Sequence, residues 1–300
     1  MKLFLPVVAV FSFGNLSAQD SATKKPVEIF SSTKAINART TEVVGKGKMD
    51  FNVTHNFGDI AGSNGGIKHF YGLDNASDVR IAFTVGVGKR FDLTGARSKG
   101  AGPQSQLFEL GAKYQIMQQY EHDPSHPFAM ALNITSVIAA NSANQFANQD
   151  NSYNGFGDRL STVFQLIIAK RIGRVSVQLN PCYLVRGYAI SYDEKNMLSL
   201  GGAFRVPLGR RLNLVIDYFH NFRDQESKDS FRVNNGIHFY DPLGIGLEIL
   251  TAGHIFRLNF TNSTEILENR FIPRTITSWG KGEFRWGFTI SRKFTLWRPK

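Results

Sequence analysis

The stretch VSVQLNPCYLV, residues 175–185, decides the fold. Val175, Val177, Leu179, Pro181, Tyr183 and Val185 form one set, and Ser176, Gln178, Asn180 and Cys182 the other. This is the period-two pattern of a β-strand with one apolar and one polar face. Pro181 interrupts it, because proline has no N–H to give to a sheet ladder. The question is therefore what kind of sheet this is, and which of its faces is wet.

The same alternation recurs along the chain. Met49, Phe51, Val53, His55 and Phe57 oppose Asp50, Asn52, Thr54 and Asn56, and Phe108, Leu110, Ala112, Tyr114 and Ile116 oppose Glu109, Gly111, Lys113 and Gln115. The pattern predicts about twelve strands, at 48–57, 78–88, 90–98, 105–118, 127–141, 158–171, 173–187, 196–208, 210–222, 243–251, 253–262 and 282–295. It is weaker in 128–140 and 160–171, where Val137, Val163 and Ile167 break the polar face.

The connections carry a second signal. Tight turns at Lys89-Arg90, Arg171-Ile172-Gly173, Gly209-Arg210 and Ala252-Gly253 alternate with long polar links at 58–77, 98–105, 142–157, 188–195, 223–242 and 263–281, with only QYEHDPSHP, 119–127, somewhat long for the short class. A soluble sandwich would bury the same apolar faces but has no reason to sort its loops. An outer-membrane barrel does sort them: an even number of tilted antiparallel strands, short periplasmic turns and long outer loops. The strands also reach the roughly 9–11 residues needed to cross the hydrocarbon. The expected fold is therefore all-β, a transmembrane antiparallel up-and-down β-barrel, spanning 47–300.

Energy assigns the faces. An arginine such as Arg257 facing lipid near mid-membrane costs about 2–4 kcal/mol. A one-residue slip in register would impose that cost on Arg80, Lys113, Arg205, Asp217, Glu248, Arg257 and Arg285 together. The polar set therefore faces the lumen, and the aromatic residues supply interfacial girdles. Pro181, on a strand rising from the short turn at Gly173, is expected in the outer part of its strand, with a local bulge or lost ladder bond.

Residues 1–18 read as a secretory signal peptide: Lys2, an apolar stretch from Leu3 to Phe13, and small residues up to Ala18. Beyond it no apolar run approaches the length of a membrane helix. The expected address is the outer membrane of a Gram-negative cell, with outer-membrane lipid as the first partner. Residues 19–46 lack clear alternation and read as a periplasmic segment or a partial plug of the barrel mouth, suited to a partner or gating role.

Composition narrows the chemistry. The chain is 42% hydrophobic and 20% charged, which is not a disordered composition, and its net charge is +11. The basic residues are scattered and no nucleic-acid motif appears, so nucleic acid is not an expected partner. Anionic lipid headgroups or acidic solutes suit the charge better. The single cysteine, Cys182, excludes an intrachain disulfide and a multi-cysteine metal site. His122 and His126 flank Asp123 at a spacing a metal could use, but Pro124 and Pro127 make an ordinary turn of the segment. There is no GxSxG elbow or HExxH, and GKGK at 45–48 lacks the phosphate-loop spacing. No cofactor and no catalytic role are expected; a lipid-acting enzyme with a Ser/His site at the rim is the weakest reading.

The candidate functional residues are those placed in the lumen. The acids are Asp50, Glu109, Asp217 and Glu248, and the bases are Arg80, Lys113, Arg205, Arg257, Arg285 and Lys293. Rings of charge can set ion selectivity in a pore, and the basic excess would favour anions. The alternative is that opposite charges pair and fill the interior, holding geometry more than adding stability. A twelve-strand barrel falls between the filled and the aqueous sizes. The two expectations are a narrow pore or transport-related protein for small polar or anionic solutes, and a filled structural barrel that binds a periplasmic or cell-surface protein.

Residues 32–58, STKAINARTTEVVGKGKMDFNVTHNFG, followed by YGLDNASDVRIAF at 71–83, carry a family resemblance. Thr33, Ile36, Asn37, Thr41-Glu42, Gly45-Lys46-Gly47, Asp50-Phe51, His55, Phe57-Gly58 and Gly72-Leu73-Asp74-Asn75-Ala76 are the matching residues. With the ending FRWGFTISRKFTL at 284–296, the chain resembles a Bacteroidetes outer-membrane β-barrel family of unknown function, DUF5777. The resemblance implies a barrel fold and an outer-membrane address, and no activity.

Overall fold

The computed structural model describes residues 24–100 and 102–298; the signal-peptide reading at 1–18 lies outside them. The strands are β1 (Lys48–Asp59), β2 (Ala76–Gly86), β3 (Phe91–Gly100), β4 (Gln106–Met117), β5 (Ala129–Ala139) and β6 (Leu160–Ile172). They continue with β7 (Val175–Arg186), β8 (Asn196–Pro207), β9 (Leu212–Phe222), β10 (Leu243–Leu250), β11 (Ile255–Thr261) and β12 (Arg285–Thr295). Each pairs antiparallel with its neighbours in sequence, and β12 returns to β1, closing the sheet into a twelve-strand barrel. The closing register runs from Lys48↔Thr295 to Asn56↔Gly287, with an irregularity before Asp59↔Arg285. Closure leaves no strand edge unpaired, which a wall surrounded by hydrocarbon requires.

Alternation produces the two faces. Ile81, Phe83, Leu110, Leu132, Leu198, Phe204 and Leu258 stand exposed on the outside, while Asp50, Arg80, Glu109, Asp217, Glu248 and Arg257 are buried within. Two outward arginines near the strand ends are shielded by stacking: the Arg97 guanidinium lies 4.5 Å from the Phe108 ring centroid and that of Arg292 5.1 Å from Phe294. Such stacking lets a long cationic side chain lie along an apolar belt.

Pro181 lies mid-strand in β7, not in its outer part, and causes no bulge. On the β6 side the ladder skips from Gln165↔Cys182 to Ile168↔Leu179 with the register unchanged; on the β8 side Pro181 still pairs with Leu200. A missing N–H removes pairing on the side its nitrogen faces and leaves the other ladder intact. Pro181, Tyr183, Leu132, Ile134, Phe164 and Leu198 line an apolar groove of about 570 Å³ at this point of the wall.

The long links, all at one end of the barrel, hold two helices, α1 (Gln225–Asn235) between β9 and β10 and α2 (Glu268–Arg274) between β11 and β12. No helix among the described residues is long and apolar enough to cross a membrane. The main hydrophobic core lies inside the barrel. It joins Ile29, Phe30 and Ile36 from before β1 with Phe271 and Ile272 of α2 and with inward Val163, Leu184, Met197, Val215 and Phe219 of the wall.

Candidate functional site in the barrel lumen

Residues 24–46 enter and leave the barrel at its short-turn end. Pro26 bridges Tyr120 in the β4–β5 link, and Lys46 bridges Gly86 at the end of β2. Between those points the chain makes a hairpin-like excursion inward, marked by a Lys34↔Arg39 bridge, by Ala35 N–H donating to Ala38 O at 2.7 Å and by Thr40 N–H donating to Thr33 O at 3.1 Å. Glu42 ties the base, accepting the N–H groups of Ile29 and Phe30 at 3.1 and 3.2 Å.

The hairpin has few backbone partners of its own, so its polar groups must be satisfied by the wall. Asp217 on β9 accepts the N–H groups of Ile36, Asn37 and Ala38 at 3.0, 2.5 and 2.8 Å, and the Asn37 amide at 3.0 Å. Lys113 on β4 donates to the carbonyls of Thr33, Thr40 and Glu42 at 3.2, 2.8 and 3.0 Å, one acceptor for each ammonium proton. Gln178 and Asn180 on β7 both donate to Arg39 O at 2.8 Å. Ser176 and Arg205 donate to Ile29 O at 2.6 and 3.3 Å. Gly244 on β10 faces the hairpin closely: a Cβ there would lie 2.7 Å from Asp217 Oδ1 and 2.9 Å from the Ile36 side chain.

From the long-loop end, the β11–β12 loop folds inward to meet the hairpin. Glu268, Asn269, Arg270, Phe271, Ile272 and Pro273 of α2 are all buried. Lys34 Nζ donates to Ile266 O at 2.7 Å, and Arg39 lies between Glu109, at 2.6 Å, and Glu268, at 3.1 Å. Arg80 completes the group with two bonds to Glu109 at 2.7 and 2.9 Å. A charge cluster this deeply buried is tolerable only because opposite signs are in direct contact.

The ten lumen residues expected from the sequence all sit on inward positions of the wall. Nine are buried, and Lys293 is exposed near the short-turn mouth, beside Glu28 and Ser31. The structure joins Arg80 to Glu109, and Glu248 to Arg257 at 2.6 Å and to Arg205 at 3.6 Å. Asp50 accepts from Ser291 at 2.5 Å, and Arg285 pairs with Asp59 at 2.8 Å. Five of them touch residues 24–46 directly: Asp217, Lys113, Glu109, Arg205 and Arg257, the last donating to Ser32 Oγ at 2.9 Å. These five grip a segment of the chain itself.

Several residues of the site escaped the sequence reading. Asp92 accepts the Val44 N–H at 2.9 Å, and Asp78 accepts the Ile266 N–H at 2.9 Å; the inward parity of Arg80 on β2 and of Ser98 on β3 would have indicated both. Lys34, Arg39 and Glu268 lie outside any alternating segment and gave no such signal. Val137, Val163 and Ile167 did: the interruptions of the polar face are all inward and buried. Val163 belongs to the core built around Ile29 and Phe271, and Val137 packs with Leu107, Tyr153 and Leu267.

Of the two histidines at the short-turn end, His126 is part of a clasp. Asp123 bonds Lys24 Nζ at 2.7 Å and His126 Nδ1 at 2.8 Å, and Lys24 above all, with His126 and the Ser125 N–H, holds its carboxyl down at about 2. The Cys182 thiol is buried and donates to Asn180 O at 3.1 Å.

Among solved structures the barrel is similar to the NanC porin, at 8% identity over 83% of this chain and 100% of that one, with a TM-score of 0.46. It is also similar to the KdgM porin, at 9% identity over 82% and 99% of the two chains and a TM-score of 0.48. The COG4313 outer membrane channel from Pseudomonas putida F1 is 13% identical over 85% and 98%, with a TM-score of 0.47. No curated protein matches the sequence. Matched over residues 30–294, from within the inward segment into β12, the chain belongs to the family described as the membrane bound beta barrel domain, DUF5777.

Proposed function

We propose that this protein is an outer-membrane barrel closed at rest, which serves as a structural or interaction protein through its outer loops and its periplasmic face. The tight turns then face the periplasm and the long loops the cell exterior, as the loop sorting of outer-membrane barrels requires. One observation carries the reading. The lumen is filled from both ends by the chain's own residues, and they share an apolar core with the wall. Burying Ile29, Phe30 and Ile36 there contributes about 1.5–3 kcal/mol for each side chain. Emptying the lumen would wet those side chains together with inward Leu184, Met197, Val215 and Phe219, an unusual lining for a permanent water channel.

A second reading, a narrow transport path for small polar or anionic solutes, is favoured by the remaining contacts of the hairpin. Those to Lys113, Gln115 and Asp217 are hydrogen bonds that water could replace if the segment withdrew towards the periplasm. We also read the protein as non-catalytic. In both histidine–carboxylate pairs the carboxylate is shared with a second donor, Lys24 for Asp123 and the Tyr218 hydroxyl for Asp241, which suits a structural clasp.

Single-channel recording in a planar bilayer tests the proposal. The folded, inserted full chain is expected to be silent. A variant lacking residues 24–46, with 263–278 replaced by a short turn, is expected to conduct steadily. Steady conductance from the full chain overturns the closed-barrel reading.

A further inference from the structure

The periplasmic mouth contains a cleft of about 300 Å³ beside the start of the hairpin. It lies among the β6–β7 turn, the β8–β9 turn, Arg205 on the inner wall and Glu28. Four of its lining residues are arginines, Arg171, Arg174, Arg205 and Arg210, and one is acidic, Glu28. Gathering guanidinium groups in one concave site is unfavourable unless negative charge answers them.

Glu28 answers them poorly. Its carboxylate is 3.6 Å from Arg205 Nη2, beyond hydrogen-bond length, and is 62% exposed. Arg171 is turned elsewhere, towards Glu28 O and Glu121, both at 3.4 Å. Arg174 and Arg210 stand exposed on their turns and enter no ion pair with a described carboxylate. Arg205, in contrast, is only 8% exposed; its Nε faces Glu248 Oε1 and its Nη2 faces Glu28, both at 3.6 Å, so neither carboxylate bonds it closely. A guanidinium held only loosely by its two carboxylates, in the wall of a cleft rimmed by Arg174 and Arg210, leaves cationic charge there for an outside anion to answer.

We propose that this cleft binds a phosphate group presented from the periplasm. Phosphate offers several oxygens and up to two negative charges, so it can take bidentate bonds from more than one guanidinium, where Glu28 brings a single charge. The group has two natural sources, the headgroup of an inner-leaflet phospholipid and a free phosphate or phosphate ester. Because Glu28 opens the lumen-filling segment, a phosphate seated beside Arg205 competes with the first carboxylate of that segment. This last step rests on the closed-barrel reading; the binding site itself does not.

The test is titration calorimetry of inorganic phosphate into the folded full chain in zwitterionic detergent, with native mass spectrometry of phosphatidylglycerol retention in parallel. Arg174→Ala with Arg210→Ala, both on exposed turns, is expected to weaken binding by at least about tenfold, as loss of charge-assisted hydrogen bonds does. Lys89→Ala with Arg90→Ala removes the same charge from another periplasmic turn and is expected to leave binding unchanged. Glu28→Gln removes the internal competitor and is expected to tighten binding several-fold.

Retention of phosphatidylglycerol without binding of inorganic phosphate identifies the headgroup as the source; the reverse identifies a soluble ester. Equal losses in the two double variants, or no binding of either probe, overturn the site. Unchanged affinity in Glu28→Gln overturns the competition. Bilayer recordings on the same variants report the lumen separately, so a failed site and a failed closed-barrel reading are told apart.

Discussion

Removing the Asp217 carboxylate should release the tip of the hairpin. Three backbone N–H groups and one amide converge on it within 3.0 Å, and no water-exposed route offers them an alternative, since Ile36, Asn37 and Ala38 are all buried. Asp217→Ala strands three buried N–H donors at about 1–3 kcal/mol each, so about 3–9 kcal/mol in total. Asp217→Asn keeps one acceptor oxygen but loses the charge that roughly doubles the strength of each bond, and should fall near the lower end of that range. At 1.4 kcal/mol for each factor of ten, even 3 kcal/mol is more than a hundredfold in local opening. Hydrogen exchange read by mass spectrometry on peptides covering residues 30–42, in detergent or nanodiscs, measures this directly. The expected order of exchange is Ala fastest, Asn intermediate and wild type slowest, with the wall peptides of β4 and β9 unchanged. Acceleration below tenfold in a folded Asp217→Ala barrel would refute the view that this carboxylate anchors the segment.

Three further outcomes follow from the same contacts. Arg39→Leu removes the cation between Glu109 and Glu268 and leaves Glu268 without its partner, at a cost of about 3–5 kcal/mol, to be read as a lower midpoint in urea. Gly244→Val places side-chain atoms where a Cβ alone would sit 2.7–3.0 Å from Asp217, Ile36 and Asn37, and should loosen the hairpin by about 1–3 kcal/mol in the same exchange assay. Asp193, in the β7–β8 loop, is the pH probe: burial works against its charge, yet Arg186 and Arg223 outweigh it and hold its carboxyl below the usual range. A depressed folded value means that its stabilisation is complete above about pH 4 and is lost as pH falls through the folded value. Pepsin should therefore cut the β7–β8 and β9–β10 loops faster as pH drops below about 4, and Asp193→Asn should abolish that dependence.

The wall was legible because it obeys a local rule. Alternation located each strand to within a few residues, and the cost of charge in hydrocarbon decided which face of β11 or β4 looks inward. Its contents were not legible, for a physical reason. Residues 27–44 have no period of their own, since many of their polar groups are satisfied by scattered strands of the wall, from Asp217 on β9 to Lys113 on β4. Helix α2 was hidden in a polar link, its Pro273 and charged residues masking a buried turn. The trace that did exist lay in the wall. Val163 and Val137 spoil an otherwise polar inner face where the filling segments lean on it, so such interruptions mark contact with chain from outside the sheet. Pro181 is expected further out because its strand rises from the turn at Gly173, but β7 runs Val175–Arg186 and sets it mid-strand, where loss of two pairings on one side is tolerated while the other ladder holds.

The meeting of Arg39 with Glu268, and of Lys34 with Ile266, has a consequence apart from any solute. One partner in each contact belongs to the segment that enters at the short-turn end and the other to the long-loop end, so the two ends of the barrel are joined by chain inside the wall. Displacement of the β11–β12 loop at the long-loop end would therefore bear on the segment that carries Pro26 and Lys24 at the other end. Such a barrel can pass a message across the bilayer as a piston does, by contact and force, with nothing crossing.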